Sequence, residues 1–134
     1  MRATTLFILG FFVSVLFGNG ESLSAVSDKT QTVSGGGVTV KVTYLEQTDH
    51  EARFSVVLDT HSVNLDAYDL NVLSVLRDDT GLTMKPTGAE NKGSGHHREI
   101  ILTFPRLSLN RKWLELVIKD IAGVKERTFR WDRQ

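Results

Sequence analysis

The feature that most constrains the fold is an alternation of apolar and polar residues with a period of two, which begins at Val38. Val38, Val40, Val42 and Tyr44 would project to one face of an extended chain, and the threonine and lysine residues between them to the other. This spacing is typical of a β-strand with one buried face, because successive side chains of a strand alternate between faces. No segment of the chain from Val38 onward has the helical period, so the sequence predicts an all-β protein.

Patterned segments of this kind recur along the chain and are separated by turn-forming residues. Seven segments are predicted as strands: 38–44, 53–59, 68–77, 82–86, 97–104, 113–119 and 128–131. About seven short strands with frequent turns favour an immunoglobulin-like antiparallel β-sandwich. The chain has no cysteine, so the disulfide that links the sheets of antibody domains cannot form here.

Cysteine usage and length also bear on domain organisation. An exported chain is free to use disulfides, and one without cysteine must be held together by its core alone. Residues 38–134 are long enough to bury such a core as one domain. The 16 basic and 16 acidic residues balance, so the charge does not favour nucleic acid or an anionic membrane as a partner.

The N-terminus has the organisation of a secretory signal peptide. Arg2 precedes an uninterrupted apolar stretch over 6–18, which is too short for a membrane span and ends in small and polar residues. We therefore expect residues 1–20 to be removed after Gly20, followed by a flexible polar leader over 21–37 that ends in three glycines. The expected product is periplasmic or extracellular and has no integral membrane span after processing.

The histidine residues give the sequence its one candidate site. Antiparallel order places the loops after the second and fourth predicted strands at the same end of the sandwich. Those loops carry His61, His96 and His97, with Asp59 beside them, while His50 is expected at the other end. Imidazole and carboxylate ligands suit copper or zinc, so these four residues are the candidate metal ligands. The alternative, which we prefer, is structural: a histidine at a strand end donates a ring proton to a carboxylate such as Asp59.

Other motifs do not indicate catalysis. Asp79-Thr80-Gly81 matches the triplet of aspartic proteases, but that chemistry needs two such carboxylates, and a β-turn explains the triplet better. Trp113 and Trp131 could form an aromatic platform, although their places among apolar strand residues favour a core or partly buried position. We predict no catalytic residue, no required cofactor and no enzymatic activity.

Four segments carry a resemblance to a known group of proteins. They are 58–65, 95–98, 118–124 and 127–129. In these segments the chain resembles small exported bacterial immunoglobulin-like β-sandwich proteins of uncharacterised function. Those proteins often carry a lipoprotein cysteine that is missing here, so the resemblance implies the exported sandwich and interest in the histidine loops, and it implies no activity.

Two functions follow as expectations. The first is a non-catalytic interaction or structural module that binds another exported protein or a carbohydrate through its loops or an exposed sheet edge. The second is a metal-binding protein that holds copper or zinc at His61, His96, His97 and Asp59. The second requires the imidazole groups to lie within about 4 Å of one another, because metal–nitrogen distances are about 2 Å.

Overall fold

The computed structural model describes residues 29–133, which form two antiparallel β-sheets with very little helix. The strands are β1 (Thr30–Gly35), β2 (Val38–Gln47), β3 (Glu51–Thr60), β4 (Ser74–Asp78), β5 (Thr83–Met84), β6 (Gly88–Ser94), β7 (His97–Pro105), β8 (Trp113–Ile121) and β9 (Val124–Asp132). A short 3-10 helix (Leu65–Ala67) and a one-turn helix, α1 (Leu70–Leu73), lie between β3 and β4.

One sheet has five strands in the order β1-β2-β3-β7-β6, and the other has four in the order β5-β4-β8-β9. All the pairings are antiparallel. This arrangement gives the domain two distinct ends. We call one of them the histidine end; it consists of the turns β1–β2, β6–β7 and β8–β9. We call the other the groove end; it consists of the β2–β3 turn, the β7–β8 loop and the end of β9.

The core lies between the sheets and follows the period-two pattern of the sequence. In β3 every second residue from Ala52 to Leu58 is fully buried, and β7 repeats this from Ile100 to Phe104. Phe54 packs edge-on against Phe104, with ring centroids 5.7 Å apart. Removing this apolar surface from water is the main stabilising contribution, at about 25 cal/mol per Å².

The structure confirms the all-β prediction and its two-sheet arrangement, but it has two more strands than the seven predicted. The additional strands are β1 and β6. β6 was predicted as a loop because Gly88–Ser94 contains almost no apolar residues; its side chains are mostly exposed, and it is an edge strand. An edge strand with charged and glycine residues has no inward apolar pattern for the sequence to reveal.

The flexible leader predicted over 21–37 is corrected for the part that the structure describes. Thr30–Gly35 forms β1, which pairs with β2 from Thr30 opposite Thr43 to Gly35 opposite Val38. Gly36 and Gly37 form the two-residue turn between them, with φ of 62° and 78°. Positive φ at both turn positions is the geometry that a tight hairpin requires, so these glycines shape a defined turn. The signal-peptide prediction for 1–20 lies outside the described residues.

The predicted strand over 68–77 is only half extended. Its first part contains α1, which Asp69 caps by accepting a hydrogen bond from the Asn71 backbone N–H at 3.0 Å. The strand β4 begins at Ser74. An aspartate at the N-cap competes with extended structure because its carboxylate satisfies a free backbone N–H group, and this local contact outweighs the apolar run.

A buried arginine joins the two sheets at the histidine end. Arg127 is 1% exposed and donates hydrogen bonds to the carbonyl oxygens of Ile121, at 3.0 Å, and Gly35, at 2.6 Å. These carbonyls belong to the β8–β9 turn region and the end of β1, which lie in different sheets. Arg127 therefore holds the two hairpins in contact.

Among the helices of residues 29–133, none has the length and apolar character needed to cross a membrane.

Candidate functional site

The histidine end brings together most of the residues that the sequence proposed as metal ligands. His97 is the first residue of β7 and lies opposite Asp59 at the end of β3. His96 lies in the β6–β7 turn, where its carbonyl accepts a hydrogen bond from the Thr60 N–H at 3.0 Å. His61 follows β3 and lines a shallow depression with Asp59. The predicted placement of three histidines at one end is therefore confirmed.

The side chains at this end make one direct contact among the predicted ligands. His97 Nδ1 lies against Asp59 Oδ1, and both side chains are exposed. This contact is the one that the structural interpretation of the histidines describes. Within residues 29–133 no group of three or more His, Cys, Asp or Glu side chains is placed to hold a metal ion. An exposed pair of this kind contributes little stability, typically below about 1 kcal/mol.

A concave feature lies at the groove end, and the sequence did not single it out as a site. It is a groove of about 430 Å³ lined by side chains from four parts of the chain. Its principal side chains are Lys29 before β1, Tyr44 on β2, Leu109 and Arg111 on the β7–β8 loop, Trp113 on β8 and Trp131 on β9. A volume of this size is within the usual range for small-molecule sites. We call it the aromatic groove.

The aromatic residues of the groove are held by packing against the core. Tyr44 stacks on Phe54 with ring centroids 5.0 Å apart, and Trp131 lies 6.1 Å from Tyr44 in a tilted arrangement. Trp131 is 9% exposed and donates its indole N–H to the Lys29 carbonyl at 3.2 Å. Trp113 is half-buried, and the Arg130 guanidinium lies 4.5 Å from its ring centroid. Tyr44, Trp113 and Trp131 thus form an aromatic wall that is in place without a ligand.

Arg111 extends from the loop toward the aromatic wall and is held by neutral groups. One of its terminal nitrogens donates to the Ser108 carbonyl at 2.8 Å and to Gln47 Oε1 at 3.3 Å, and the other lies 3.4 Å from the Tyr44 hydroxyl. Burial raises the pKa of the Tyr44 hydroxyl, and the Arg111 guanidinium partly offsets this effect. Tyr44 therefore stays neutral at physiological pH.

The charges around the groove are unbalanced. Three cationic residues line the groove: Lys29, Arg111 and Arg133. None of them has a carboxylate partner among the residues that the structure describes. Asp132, the one carboxylate among the described residues of the lining, is paired with Arg130 at 3.0 Å. The groove therefore presents three cations whose charge no side chain of the described region neutralises by a direct contact.

Asp79 fixes the end of the loop that carries Arg111. Its Oδ1 accepts hydrogen bonds from the backbone N–H groups of Lys112, at 2.6 Å, and Trp113, at 3.3 Å. Burial opposes ionisation of Asp79, but these backbone N–H groups outweigh it and lower its pKa. The Asp79-Thr80-Gly81 triplet thus lies in the turn after β4, and its carboxylate anchors the neighbouring loop.

Sequence reasoning considered Trp113 and Trp131 as a platform and preferred a core or partly buried position; Trp131 lies in the core and Trp113 is half-buried. It missed Lys29, Tyr44, Leu109 and Arg111. Leu109 offered the one available signal, since it is a large apolar residue in a polar loop, and it is 62% exposed.

The fold and the groove together define the class: an all-β domain of two antiparallel sheets with an aromatic, cation-lined groove at one end. No protein-family model, curated protein or solved structure matches the chain.

Proposed function

We propose that this protein is an exported, non-catalytic β-sandwich module that binds a carbohydrate or another exported protein in the aromatic groove. The observation that carries the proposal is the combination of a preformed aromatic wall with unpaired cations. Tyrosine, tryptophan and arginine are the residues most enriched where proteins bind their partners. Export rests on the signal-peptide pattern of residues 1–20, and the expected location is periplasmic or extracellular.

The sheet order supports the immunoglobulin-like part of the proposal. In the constant-type immunoglobulin fold one sheet has the order A-B-E-D and the other contains C, F and G. Assigning A to β2, B to β3, E to β7 and D to β6 reproduces the first sheet, and C, F and G correspond to β4, β8 and β9. In this assignment β1 and β5 are added edge strands.

The chemistry of the groove supports a non-catalytic role. The Asp132 carboxylate is already paired, the Tyr44 hydroxyl has a raised pKa, and lysine and arginine are protonated at neutral pH. The described residues of the lining include no histidine or cysteine, and their one carboxylate is in an ion pair.

Intrinsic tryptophan fluorescence tests the proposal directly. The chain has only two tryptophans, and both line the groove, so a ligand that enters it changes the emission. We would screen panels of oligosaccharides and peptides against the wild type, a Leu109→Glu variant and a His61→Ala, His97→Ala variant.

The expected result is a saturable change for at least one ligand class, weakened by Leu109→Glu and unaffected by the histidine substitutions. Leu109 is exposed, so its substitution leaves the core intact, and thermal unfolding checks this. The proposal is contradicted if no panel member changes the emission, or if binding depends on the histidine end.

A further inference from the structure

We infer that the aromatic groove takes an acidic carbohydrate, an oligosaccharide of uronic acid whose ring lies on the aromatic wall and whose carboxylate pairs with Arg111. This inference rests on the proposed function and narrows its ligand class.

The charge of the groove selects an anion. Lys29, Arg111 and Arg133 have no carboxylate partner in the described part of the chain, and Asp132 is neutralised by Arg130. Elsewhere in the domain two half-buried arginines are paired, Arg77 with Glu115 at 2.7 Å and Arg53 with Glu46 at 3.2 Å. The groove thus brings together three cations that have no carboxylate partner in the described part of the chain, and a ligand carboxylate supplies one.

Arg111 retains donors for that carboxylate. Its recorded hydrogen bonds engage the two terminal nitrogens, and no acceptor is recorded for its Nε among residues 29–133. A guanidinium presents five N–H donors in a planar fork that matches a carboxylate in two parallel hydrogen bonds. The contacts to Ser108, Gln47 and Tyr44 hold the fork in place, so little side-chain freedom is lost on binding.

Part of the backbone beside the groove is already occupied, which disfavours an extended peptide. Extended peptides bind by pairing with free backbone groups at a sheet edge. At this edge the Arg130 N–H donates to Gln31 Oε1 at 3.1 Å, and the Arg130 carbonyl accepts from Gln31 Nε2. The Lys29 carbonyl is occupied by the Tyr44 N–H and the Trp131 indole.

The lining offers a ligand ring faces, the apolar Leu109 side chain and the cations. A uronic acid matches these groups because its ring has an apolar face of C–H groups and it carries one carboxylate. The stated volume of about 430 Å³ suits a short oligosaccharide, since pockets of a few hundred Å³ bury ligands of that size.

The test uses tryptophan fluorescence with three probes: trigalacturonic acid, its methyl ester and an acidic tripeptide. The methyl ester keeps the rings and removes the charge, so it isolates the role of the carboxylates. We expect trigalacturonic acid to bind at least tenfold more tightly than the ester and the peptide, and to weaken when salt is raised to about 0.5 M, because salt screens exposed charges.

Two variants assign the charge contact. Arg111→Gln should weaken trigalacturonic acid on the order of tenfold to a hundredfold, because charge-assisted hydrogen bonds are the stronger ones. Lys29→Gln, at an exposed position, should weaken it less, without risk to the core. Lys125→Gln, exposed on β9 near the histidine end, is the matched control and should leave binding unchanged.

The outcomes separate the inference from the proposed function. Equal binding of acid and ester, or tighter binding of the peptide, overturns the acidic-carbohydrate inference and leaves the binding module standing. Binding of the acid that Arg111→Gln and Lys29→Gln leave unchanged also overturns the inference. If none of the probes changes the emission, the inference fails, and the broader ligand screen decides the proposed function.

Discussion

Replacing Gly36 with alanine tests how tightly the two hairpins pack at the histidine end. Gly36 has φ of 62°, and a Cβ placed on it would lie 2.1 Å from the Ala122 carbonyl oxygen in the β8–β9 turn. Contacts this short do not occur between these atoms, so one hairpin must shift. That movement also disturbs Arg127, which donates to the carbonyls of Gly35 and Ile121.

The size of the effect follows from two contributions. A left-handed conformation costs a non-glycine residue about 1–2 kcal/mol, and forcing an additional carbon into a packed contact costs about 1–3 kcal/mol. We therefore expect Gly36→Ala to lower the free energy of unfolding by roughly 2–5 kcal/mol. In a domain of this size that corresponds to a fall in Tm of about 10–20 °C.

Gly123→Ala is the matched control. Gly123 also lies in a two-residue turn, with φ of 74°, but nothing lies within 4 Å of the added Cβ. It should show only the conformational cost, about 1–2 kcal/mol. The assay is urea-induced unfolding followed by tryptophan fluorescence for both variants. Equal destabilisation by the two substitutions would refute the predicted contact between the hairpins.

Three further predictions follow from the described contacts. Asp79→Asn should destabilise the protein at pH 7, and the difference in stability from wild type should shrink as pH falls below the ordinary carboxyl pKa of 3.8, since a lowered pKa stabilises the fold only while the group is ionised. Urea unfolding at pH 7 and pH 3 measures this difference. A difference that does not depend on pH would contradict the prediction. Arg98→Met should lower the free energy of unfolding by roughly 2–4 kcal/mol. Arg98 is buried and donates to the carbonyls of two residues in the segment after β3, and these carbonyls would lose their partner. A fall in Tm of less than about 3 °C would contradict the prediction. Calorimetric titration with Cu(II) and Zn(II) should give the same weak isotherm for wild type and a His61→Ala, His97→Ala variant, because the described residues place no three ligands together. Stoichiometric binding that is lost in the variant would support a metal site instead.

The sequence predicted the strands whose inward residues are apolar. β2, β3 and β7 alternate clearly because one face of each is in the core. β1 and β6 were missed because edge strands face solvent more and so carry polar residues on both faces. Two consecutive glycines such as Gly36 and Gly37 occur both in hairpin turns and in flexible linkers. They indicate a hairpin only when a strand precedes them, and the polar sequence of β1 gives no sign of that strand.

The candidate site was less accessible to sequence reasoning. The groove residues lie far apart in the sequence, over about a hundred positions from Lys29 to Trp131. Only the pairing of the strands into two packed sheets brings Lys29, Tyr44, Arg111 and Trp131 together. None lies in a motif with a fixed spacing. The histidine end was predicted from antiparallel order with two strands between the loops, whereas three lie there, β4, β5 and β6. The placement still holds because β5 and β6 both run toward the histidine end.

Binding of a ligand in the aromatic groove can be observed residue by residue by NMR of the ¹⁵N-labelled protein. The spectrum contains two indole N–H signals, from Trp113 and Trp131, and the Arg111 Nε–H adds a third reporter. On titration with trigalacturonic acid, all three should shift with one dissociation constant while the backbone signals of His61 and His97 stay unchanged. Unchanged indole signals, or shifts confined to the histidine end, would contradict ligand binding in the groove.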